Sequence, residues 1–437
     1  MNLILQIFQT INNFFPDLFD YMREIEDHRR KPDYDIAEII TACIAMFLFK
    51  EGSRNAFNND IAEGNFEKNY KKIFKMHLPH MDTVDRVIRV LEEKGGLEQL
   101  KTKMVKVLLL KKTLHKFRLF KRYFNFTIDG TGLVSFPERH CEHCLTKTSK
   151  SGKITYSHHV LEAKIVCTNG FSISVATEWI ENPDGDFDKQ DCEQKAFKRL
   201  AETIKKMYPR LPICVTADGL YPNKTFFAIC KANNWNYIVT FKDGSLPSVW
   251  KVVHAVYDIT SNNDCSENFT ENGKNIDRYY VWLPGIDYHG HKLTWFFCHE
   301  MITKLTEEEE EIKNQQFTWL TDLKVRKDNV KELAQAARLR WKIENEGFNT
   351  QKNLGYNLQH KYSRVSCLAM KNYYQCLQIA HLINQLVELS SKCKELTQGK
   401  VTIKHLWKCM LGFMVNGILN SKKISELSQQ RIQVRFG

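Results

Sequence analysis

The chain has 437 residues, which is enough for roughly three domains or for one large enzyme with insertions. Hydrophobic residues make up 43% of it and there are only 20 glycines and 10 prolines, so a collagenous, low-complexity or wholly disordered protein is excluded. The 63 Lys and Arg residues outnumber the 51 Asp and Glu residues and leave a net charge of +12. Such a surplus favours a polyanionic partner, with nucleic acid ahead of an anionic membrane.

The cysteines and apolar segments bear on the compartment. The 13 cysteines are scattered without regular spacing and their number is odd, which is typical of a reducing intracellular environment. The N-terminal segment lacks the basic region and small-residue cleavage site of a signal peptide. The longest uncharged apolar run, 39–49, is too short for a membrane span of about 20 residues. We therefore expect a cytoplasmic protein that does not enter a membrane.

Residues 1–120 carry apolar side chains at helical intervals and are predicted to form a helical N-terminal region. Within it, residues 101–122 include nine Lys or Arg side chains and no acidic one. This pattern fits a core-packed helix with a solvated basic face, and it fits a face that binds DNA phosphates equally well. Both interpretations stay open.

From about residue 121 the pattern changes to alternating strands and helices. Strands are expected at 124–128, 159–167, 171–179, 211–217 and 237–241. Helices are expected at 190–207 and 223–232. The resulting order is β, β, β, α, β, α, β, which predicts an α/β domain.

Residues 245–315 interrupt that order and are interpreted as a β-rich insertion, with a polar loop at 261–274. Near its end, the five-glutamate run Glu307–Glu311 is expected to form a capped, solvated helical turn rather than a metal site. The insertion therefore separates the first part of the α/β domain from a second part.

The α/β pattern resumes after the insertion. It predicts a short strand at 317–321 and a long helix at 330–352, which Asn329 and Glu332 are expected to open as a capping box. Residues 361–437 are predicted to be helical and to end in a basic polar tail.

Two acidic residues follow predicted strands. Asp129 and Asp218 each stand at the C-terminal end of a strand, where open α/β sheets place the groups that handle ligands. Because side chains alternate along a strand, Asn125 and Thr127 are expected to share the face that carries Asp129. A single carboxylate at such a place is usually a turn cap, so a reactive site needs a third group.

The predicted helix at 330–352 offers that group. Arg340 and Glu344 are four residues apart and therefore share a helical face. Taken alone, the two form a common surface ion pair worth a few tenths of a kcal/mol. Glu346 is a rival for the role of Glu344. The combination with the two aspartates makes an acidic site the preferred interpretation.

Four segments together resemble the DDE transposases of bacterial insertion sequences. The matching segments are IDGTG around Asp129, TADGLY around Asp218, YIVTFK ending at Lys242, and RWKIENEGFNTQKN beginning at Arg340. They occur in the required order, and the resemblance covers about 120–360. It implies an α/β fold with an RNase H-like mixed-sheet catalytic core and a β-rich insertion, flanked by helical N- and C-terminal regions.

The resemblance also implies a division of the chain and a set of catalytic residues. The implied regions are a helical DNA-binding region at 1–120, the core at 121–244 and 316–360, the insertion at 245–315 and a helical region at 361–437. Within the core, Asp129, Asp218 and Glu344 match the catalytic triad of the family.

Basic residues beside the triad are implied to bind DNA. Arg340 and Lys352 match the arginine and lysine of the family's tyrosine, arginine, glutamate, lysine signature, and Lys242 is expected to contact DNA as well. Two positions depart from the signature. Ala337 stands where tyrosine is expected, and Gln351 stands where lysine is expected, one residue before Lys352.

The expected cofactor is Mg²⁺, as two ions for which Mn²⁺ may substitute. An anionic phosphodiester repels nucleophiles, and two such ions neutralise charge, activate water or a 3′ hydroxyl and steady the leaving oxygen. Magnesium prefers oxygen ligands and keeps waters and substrate oxygens, so three carboxylates suffice. Asp129 is expected to bridge both ions, with Asp218 and Glu344 holding one each.

The implied activity is metal-dependent cleavage at transposon ends and strand transfer into target DNA. The implied partners are double-stranded DNA, both terminal inverted repeats and target, and a second copy of the chain in a homodimer on DNA. The implied location of the protein is the bacterial cytoplasm, in association with the nucleoid. The alternatives are a transposase-derived DNA-binding protein without cleavage activity and a stand-alone nuclease of the same fold. Trp250, Trp282 and Trp295 are expected to pack in a β core, with stacking on a flipped base as the alternative.

A separate motif involves cysteine and histidine. The segment HCEHC spans His140 to Cys144, and His158 and His159 follow it. Zinc at Cys141 and Cys144 needs two further ligands around a tetrahedral ion. A pair of reduced cysteines in a loop is the favoured interpretation, with zinc as the alternative.

Overall fold

The computed structural model describes residues 3–92, 96–185, 187–256, 263–305, 310–430 and 434–436. The protein is mixed α/β and is built on one ten-stranded sheet with the order β2-β3-β1-β5-β6-β10-β9-β8-β7, in which β4 pairs with β3. The strands are β1 Phe124–Phe136, β2 Leu145–Thr148, β3 Ile154–Val166, β4 Ser172–Ile180, β5 Ile213–Ala217, β6 Asn236–Thr240, β7 Asp264–Glu271, β8 Lys274–Tyr288, β9 His291–Leu305 and β10 Glu310–Thr321.

The centre of the sheet confirms the alternating pattern expected from the sequence. Strand β1 runs parallel to β5, and β5 runs parallel to β6, whereas β3 is antiparallel to both β1 and β4. The prediction that β1 ends at Ile128 is wrong, because pairing with β3 continues to Phe136. Its parallel pairing with β5 stops at Thr127. Asp129 therefore lies inside a strand, just beyond the point where β1 loses its parallel neighbour.

The region expected to be a separate insertion extends the same sheet. Strand β10 pairs with β6, and β9, β8 and β7 follow as antiparallel neighbours. The polar loop expected at 261–274 is wrong for Asp264–Glu271, which form β7 because β8 supplies their backbone partners. The short strand expected at 317–321 is the end of the longer β10. Helix α10, Pro247–Val256, precedes this β-rich part.

The five-glutamate run lies at the start of β10. Residues Glu307–Glu309 lie outside the described residues, so the helical turn expected there is not assessed. Glu311 pairs with Lys304 of β9, and the expectation of a helical turn is wrong for this residue. Pairing to a long antiparallel neighbour overrides the local helical preference of glutamate.

Helices flank the sheet along the whole chain. The helices before β1 are α1 Leu3–Phe14, α2 Leu18–Arg23, α3 Ile36–Leu48, α4 Arg54–Ala62, α5 Phe66–Phe74, α6 Met81–Ile88 and α7 Leu97–Leu110. Those between strands are α8 Glu193–Met207, α9 Lys224–Asn233 and α10 Pro247–Val256. Those after β10 are α11 Val330–Arg338, α12 Thr350–Asn353, α13 Cys367–Glu388, α14 Ser391–Thr397, α15 Ile403–Asn416 and α16 Ser421–Gln429.

Helix α13 packs the C-terminal helices against the N-terminal ones. It is buried along most of its length and packs against α1, α3 and α7 from the N-terminal part. Asn384 near its end donates to the Leu48 carbonyl at the end of α3, and Trp407 of α15 donates to the same oxygen. The N- and C-terminal helices thus form one layer. Within the described residues, no helix is long and apolar enough to cross a bilayer.

The long helix expected at 330–352 is interrupted. After α11, residues Ile343–Asn349 form a π-helix. At its end the Thr350 amide donates a hydrogen bond to the Asn345 carbonyl, five residues back, and α12 begins at Thr350. The expected capping box is also wrong, because the Asn329 side chain contacts the backbone of Lys324 and Arg326 instead. Apolar periodicity does not distinguish a π-helical turn from an α-helical one, and such turns are frequent at functional sites.

Candidate active site

A buried polar ladder lies beneath Asp129. Thr216 of β5 donates to the Asn125 side chain at 2.8 Å, and its hydroxyl is also 2.8 Å from that of Thr127. The opposite face of β1 packs Phe126 against Tyr208. The alternation expected along β1 is therefore confirmed: Asn125 and Thr127 share one face. Asp129 continues that series where the parallel pairing to β5 has ended.

Asp218 directly follows β5, as expected from the sequence. One carboxylate oxygen accepts the Leu220 amide at 2.8 Å, and the other lies 3.6 Å from the Lys242 ammonium. A Cβ atom at Gly219 would lie 2.8 Å from the Lys242 stem, so a larger residue here would displace this side chain from its present path. One oxygen of Asp218 thus caps the turn after β5, and the other faces the Lys242 ammonium.

Glu344 lies on the π-helix, and the side chain of Arg340 links it to Asp129 of β1. The Arg340 guanidinium is 2.8 Å from a Glu344 oxygen and 4.0 Å from an Asp129 oxygen. Arg340 is only 8% exposed, so this contact differs from the exposed helix-surface pair that the spacing alone suggests. The structure therefore brings Asp129 and Glu344 to the same cation.

Glu346, the rival for the role of Glu344, faces another partner. Its carboxylate accepts a hydrogen bond from the Lys342 ammonium at 2.7 Å, and the two residues form an ion pair four positions apart on the helix. In the described contacts, it is Glu344 and not Glu346 that meets Arg340 beside Asp129. Geometry thus favours Glu344.

The electrostatics show that several carboxylates converge on Asp129. Burial raises the pKa of Asp129 to about 7; the Arg340 guanidinium opposes this rise, and the negative charges of Glu344, Glu193 and Asp218 add to it. Negative charges close to one another favour a bound cation, and in this structure Arg340 and Lys242 supply positive charge beside them. All the donors are carboxylate oxygens, which suit Mg²⁺ or Mn²⁺.

Glu193 is a fourth acidic residue that sequence reasoning missed. It begins α8, accepts a hydrogen bond from the Tyr221 hydroxyl at 3.1 Å, and has a pKa raised by burial and by Asp218. A Cβ atom at Gly130 would lie 2.4 Å from one of its oxygens. Acidic residues are common in the first turn of any helix, so nothing distinguished Glu193 in the sequence. The glycine that follows Asp129 was the one available sign, because it leaves room for a neighbouring side chain.

The carboxylates are not yet arranged as a closed metal site. Sets of three potential ligand atoms within 4.8 Å of one another occur among the described residues, but none contains Asp129, Asp218 and Glu344. Arg340 stands between Asp129 and Glu344. Because a cation repels a guanidinium, a divalent ion shared by these two carboxylates requires Arg340 to move aside.

The other predicted basic residues differ in their surroundings. Lys242 pairs with Asp218 and lies at the site. Lys352 lies on α12, partly exposed, and no described contact joins it to the three carboxylates. Gln351, at the position where lysine is expected, is buried and donates to the Gln378 oxygen at 2.8 Å. Of these two, only Lys352 is accessible to a ligand. Ala337, in the tyrosine position, is buried in α11.

A pocket of about 640 Å³ adjoins the site. Asp218, Lys242 and Arg340 line it together with Trp250, Trp295 and Trp341. Trp250 stacks on Phe241 with ring centroids 4.5 Å apart, and Trp341 is 51% exposed. Trp282 does not line this pocket and packs in a second apolar cluster. Two of the three tryptophans singled out from the sequence therefore face a cavity at the acidic site, and an unforeseen one joins them.

The basic stretch at 101–122 does not present one continuous solvated face. Lys101 is fully buried and donates to the hydroxyls of Ser174 at 3.0 Å and Thr177 at 2.7 Å on β4. Lys111 and Lys116 donate to the backbone carbonyls of Asn13 and Phe436. Part of this stretch thus fastens α7 and its following turn to the rest of the protein. Its remaining exposed cations are Lys106, Lys112, Lys121 and Arg122.

The chain was compared with known proteins. No model of a known protein family matches it, and no curated protein is significantly similar to it.

Proposed function

We propose that this chain is an enzyme that cuts and joins DNA with the help of divalent metal ions, a DDE transposase of the insertion-sequence type. One observation carries the proposal. Asp129 from the central strand, Asp218 from the end of its parallel neighbour and Glu344 from the π-helix lie near one another at one partly exposed site, although they are far apart in sequence. They also lie within the segments on which the family resemblance rests.

The sheet supports an RNase H-like core for this enzyme. The strand that carries Asp129 lies between an antiparallel neighbour, β3, and a parallel neighbour, β5. Asp218 follows that parallel neighbour, at the sheet edge where open α/β sheets bind ligands. A mixed sheet with its acidic residues at this edge is the arrangement that the resemblance implies. Strands β7–β9 and the first residues of β10 lie within 245–315, where the resemblance implies a β-rich insertion.

The chemistry follows from the donor set. Asp129, Asp218 and Glu344 would hold Mg²⁺, which supplies charge neutralisation and lowers the pKa of a bound water or hydroxyl. Glu193 lies close enough to Asp129 and Asp218 to add a fourth negative charge. Lys242 and Arg340 are placed to attract the phosphate oxygens of the strand being cut, because both stand beside the carboxylates with cationic groups. Lys352 is proposed to contact DNA further from the centre.

The adjoining pocket suggests what lies next to the scissile phosphate. Its aromatic walls include the half-exposed ring of Trp341, within the same cavity as Lys242 and Arg340. Aromatic rings of this kind stack with unpaired bases, at about 1 to 3 kcal/mol per base. We propose that this pocket takes one nucleobase displaced from the duplex, with its phosphate towards the carboxylates.

The test uses purified protein, Mg²⁺ and duplex DNA that carries the sequences flanking the gene. Asp129→Asn, Asp218→Asn and Glu344→Gln are each expected to reduce cleavage at least 100-fold, since each removes a charge that the reaction needs. Glu346→Gln is the matched control, because Glu346 pairs locally with Lys342, and it should retain most of the activity. Cleavage that persists in Asp129→Asn contradicts the proposal.

A second candidate is a transposase-derived protein that binds DNA without cutting it. The observation that favours it is the Arg340 guanidinium between Asp129 and Glu344, which in this state supplies the positive charge that a metal would supply. Metal-independent DNA binding with no cleavage at any Mg²⁺ or Mn²⁺ concentration would select it. A stand-alone nuclease differs from both, since it cuts DNA but does not join precut ends to a target plasmid.

A further inference from the structure

A second group of potential metal ligands lies apart from the acidic site. The loop after β1 supplies Cys141 and Cys144, strand β3 supplies His158, and the first residue of α13 is Cys367. Three separate parts of the chain therefore deliver three thiols and one imidazole to one place. Glu181, just after β4, borders the group.

The distances among the first three residues are those of a shared tetrahedral ion. The two sulfur atoms of Cys141 and Cys144 are 3.6 Å apart. The His158 Nε2 atom lies 3.4 Å from the first sulfur and 3.3 Å from the second. Bond lengths of about 2.3 Å to sulfur and about 2.0 Å to nitrogen around tetrahedral zinc give separations of roughly 3.8 Å and 3.5 Å. The observed values are close to both.

Cys367 is the best-placed fourth ligand. Its side chain contacts that of Cys141, and its sulfur lies within 4.8 Å of both a His158 ring nitrogen and a Glu181 oxygen. His140 is also near, but its ring stacks on Phe136 and its Nε2 atom is 2.7 Å from the Arg364 carbonyl. The His140 Nδ1 atom is buried and has no hydrogen-bond partner among the described residues, so His140 is the competing fourth ligand. The direct contact of the Cys367 side chain with Cys141 favours Cys367.

Glu181 is suited to a supporting role behind the histidine. His158 is 1% exposed, and its Nδ1 atom has no hydrogen-bond partner among the described residues. The nearest carboxylate oxygen, from Glu181, lies 3.9 Å away, and Lys371 holds the other Glu181 oxygen at 2.7 Å. Histidines that bind metal through one nitrogen usually donate the other N–H to a carboxylate or carbonyl. The orphaned Nδ1 and the adjacent carboxylate fit that arrangement.

We propose that Cys141, Cys144, His158 and Cys367 bind one structural Zn²⁺ ion. Thiolate and imidazole ligands in a closed tetrahedral set select zinc rather than magnesium. On binding, each thiol releases its proton to solvent and the histidine stays neutral. The sequence motif HCEHC supplied only half of this site, and Cys367 completes it from a distant helix. The ion fastens the loop after β1 to the start of α13, which packs against both terminal helical regions.

The direct test is the zinc content of the purified full-length protein after dialysis against a weak chelator. We expect about one Zn²⁺ per chain. Cys141→Ser and Cys367→Ser should each lower this at least fivefold. Cys409→Ser is the matched control, because Cys409 also lies beside a histidine, 3.3 Å from His405 Nε2, but belongs to no group of three potential ligands among the described residues. The zinc content of this variant should be unchanged.

X-ray absorption at the zinc edge identifies the ligand set without any substitution. Three sulfur atoms and one nitrogen atom in the zinc shell support the proposal. Two sulfur and two nitrogen atoms would contradict Cys367 as the fourth ligand in favour of His140. Less than a tenth of an equivalent of zinc in the unsubstituted protein, with Cys141 and Cys144 found as free thiols or as a disulfide, would overturn the site altogether. None of these readouts depends on DNA cleavage.

Discussion

Arg340 determines the state of the acidic site at the scale of single residues. Its guanidinium compensates two carboxylates that would otherwise face each other across a buried space. The function proposed above requires the exchange of this internal cation for an external one, and therefore a second state of the site that is open to metal and phosphate. In the open state the freed guanidinium stands beside the substrate, where a phosphate oxygen can replace Glu344 as its partner.

Asp129 makes the stability of the metal-free protein depend on pH. The pKa of this carboxyl rises from its ordinary 3.8 to about 7 in the folded chain, chiefly through burial. The folded state therefore holds the proton more tightly than the unfolded state. The stability that this carboxyl contributes is fully present below about pH 4 and is lost as the pH rises through 7.

Asp129→Asn removes that titration. We expect it to raise the free energy of unfolding at pH 8 by about 1 to 3 kcal/mol, with little change at pH 4, because a pKa shift of one unit corresponds to about 1.4 kcal/mol. Urea denaturation without metal at both pH values measures this. An equal effect of the substitution at the two pH values would contradict the raised pKa.

The π-helix is the element that presents Glu344 to the sheet. It packs closely: a Cβ atom at Gly347 would lie 2.9 Å from the Ser172 hydroxyl at the start of β4 and 3.6 Å from Lys164. Ser172 is fully buried and its hydroxyl has no hydrogen-bond partner among the described residues. The small residue therefore sets the distance between the π-helix and the sheet.

Gly347→Ala is expected to cost about 1 to 3 kcal/mol of unfolding free energy through this clash, and to lower cleavage by displacing Glu344. Adding Ser172→Ala, which removes only the hydroxyl, should restore most of the loss, so the two substitutions should be non-additive. Gly412→Ala is the control, since no atom lies within 4 Å of its Cβ position. If Gly347→Ala loses the same unfolding free energy with and without Ser172→Ala, the contact with the Ser172 hydroxyl is not the cause.

Local patterns predicted some elements and not others, for physical reasons. The core strands and the helices α8 and α9 follow from periodicity and turn residues, which act over a few neighbours. The extension of β1, strand β7 and the π-helix depend on partners elsewhere in the chain, which a single segment does not reveal. The same holds at the candidate site. Asp129, Asp218 and Glu344 stand out by motif, whereas Glu193 and Cys367 are recognisable only once folding brings them to their neighbours.

At the scale of the whole molecule, the net charge of +12 and the merged terminal helices bear on the proposed DNA partner. Because α3 is entirely buried by its neighbours, a DNA-binding role for the N-terminal region has to use exposed helices such as α5, with Lys68 and Lys71. The exposed Lys404 and Lys408 lie on α15, which packs against α5. A broad electrostatic footprint of this kind predicts salt-sensitive binding.

Substitution of Lys352 tests the predicted salt-sensitive DNA binding. Lys352→Ala should weaken duplex binding similarly for all sequences and reduce the slope of log affinity against log salt by about one, as expected for one lost phosphate contact. Lys292→Ala is the matched control, because Lys292 is exposed and pairs with Asp287 on the hairpin between β8 and β9. An unchanged slope for Lys352→Ala would remove this residue from the DNA interface.

The central claim is that Asp129, Asp218 and Glu344 share divalent metal ions, and a crystal structure of the protein grown with Mn²⁺ and a DNA end tests it most directly. The account predicts anomalous density for manganese against the carboxylate of Asp129 and at least one of the other two, with Arg340 moved away from Glu344 towards a phosphate. Intact contacts of Arg340 with Glu344 and Asp129, and no manganese at these three side chains, would contradict it.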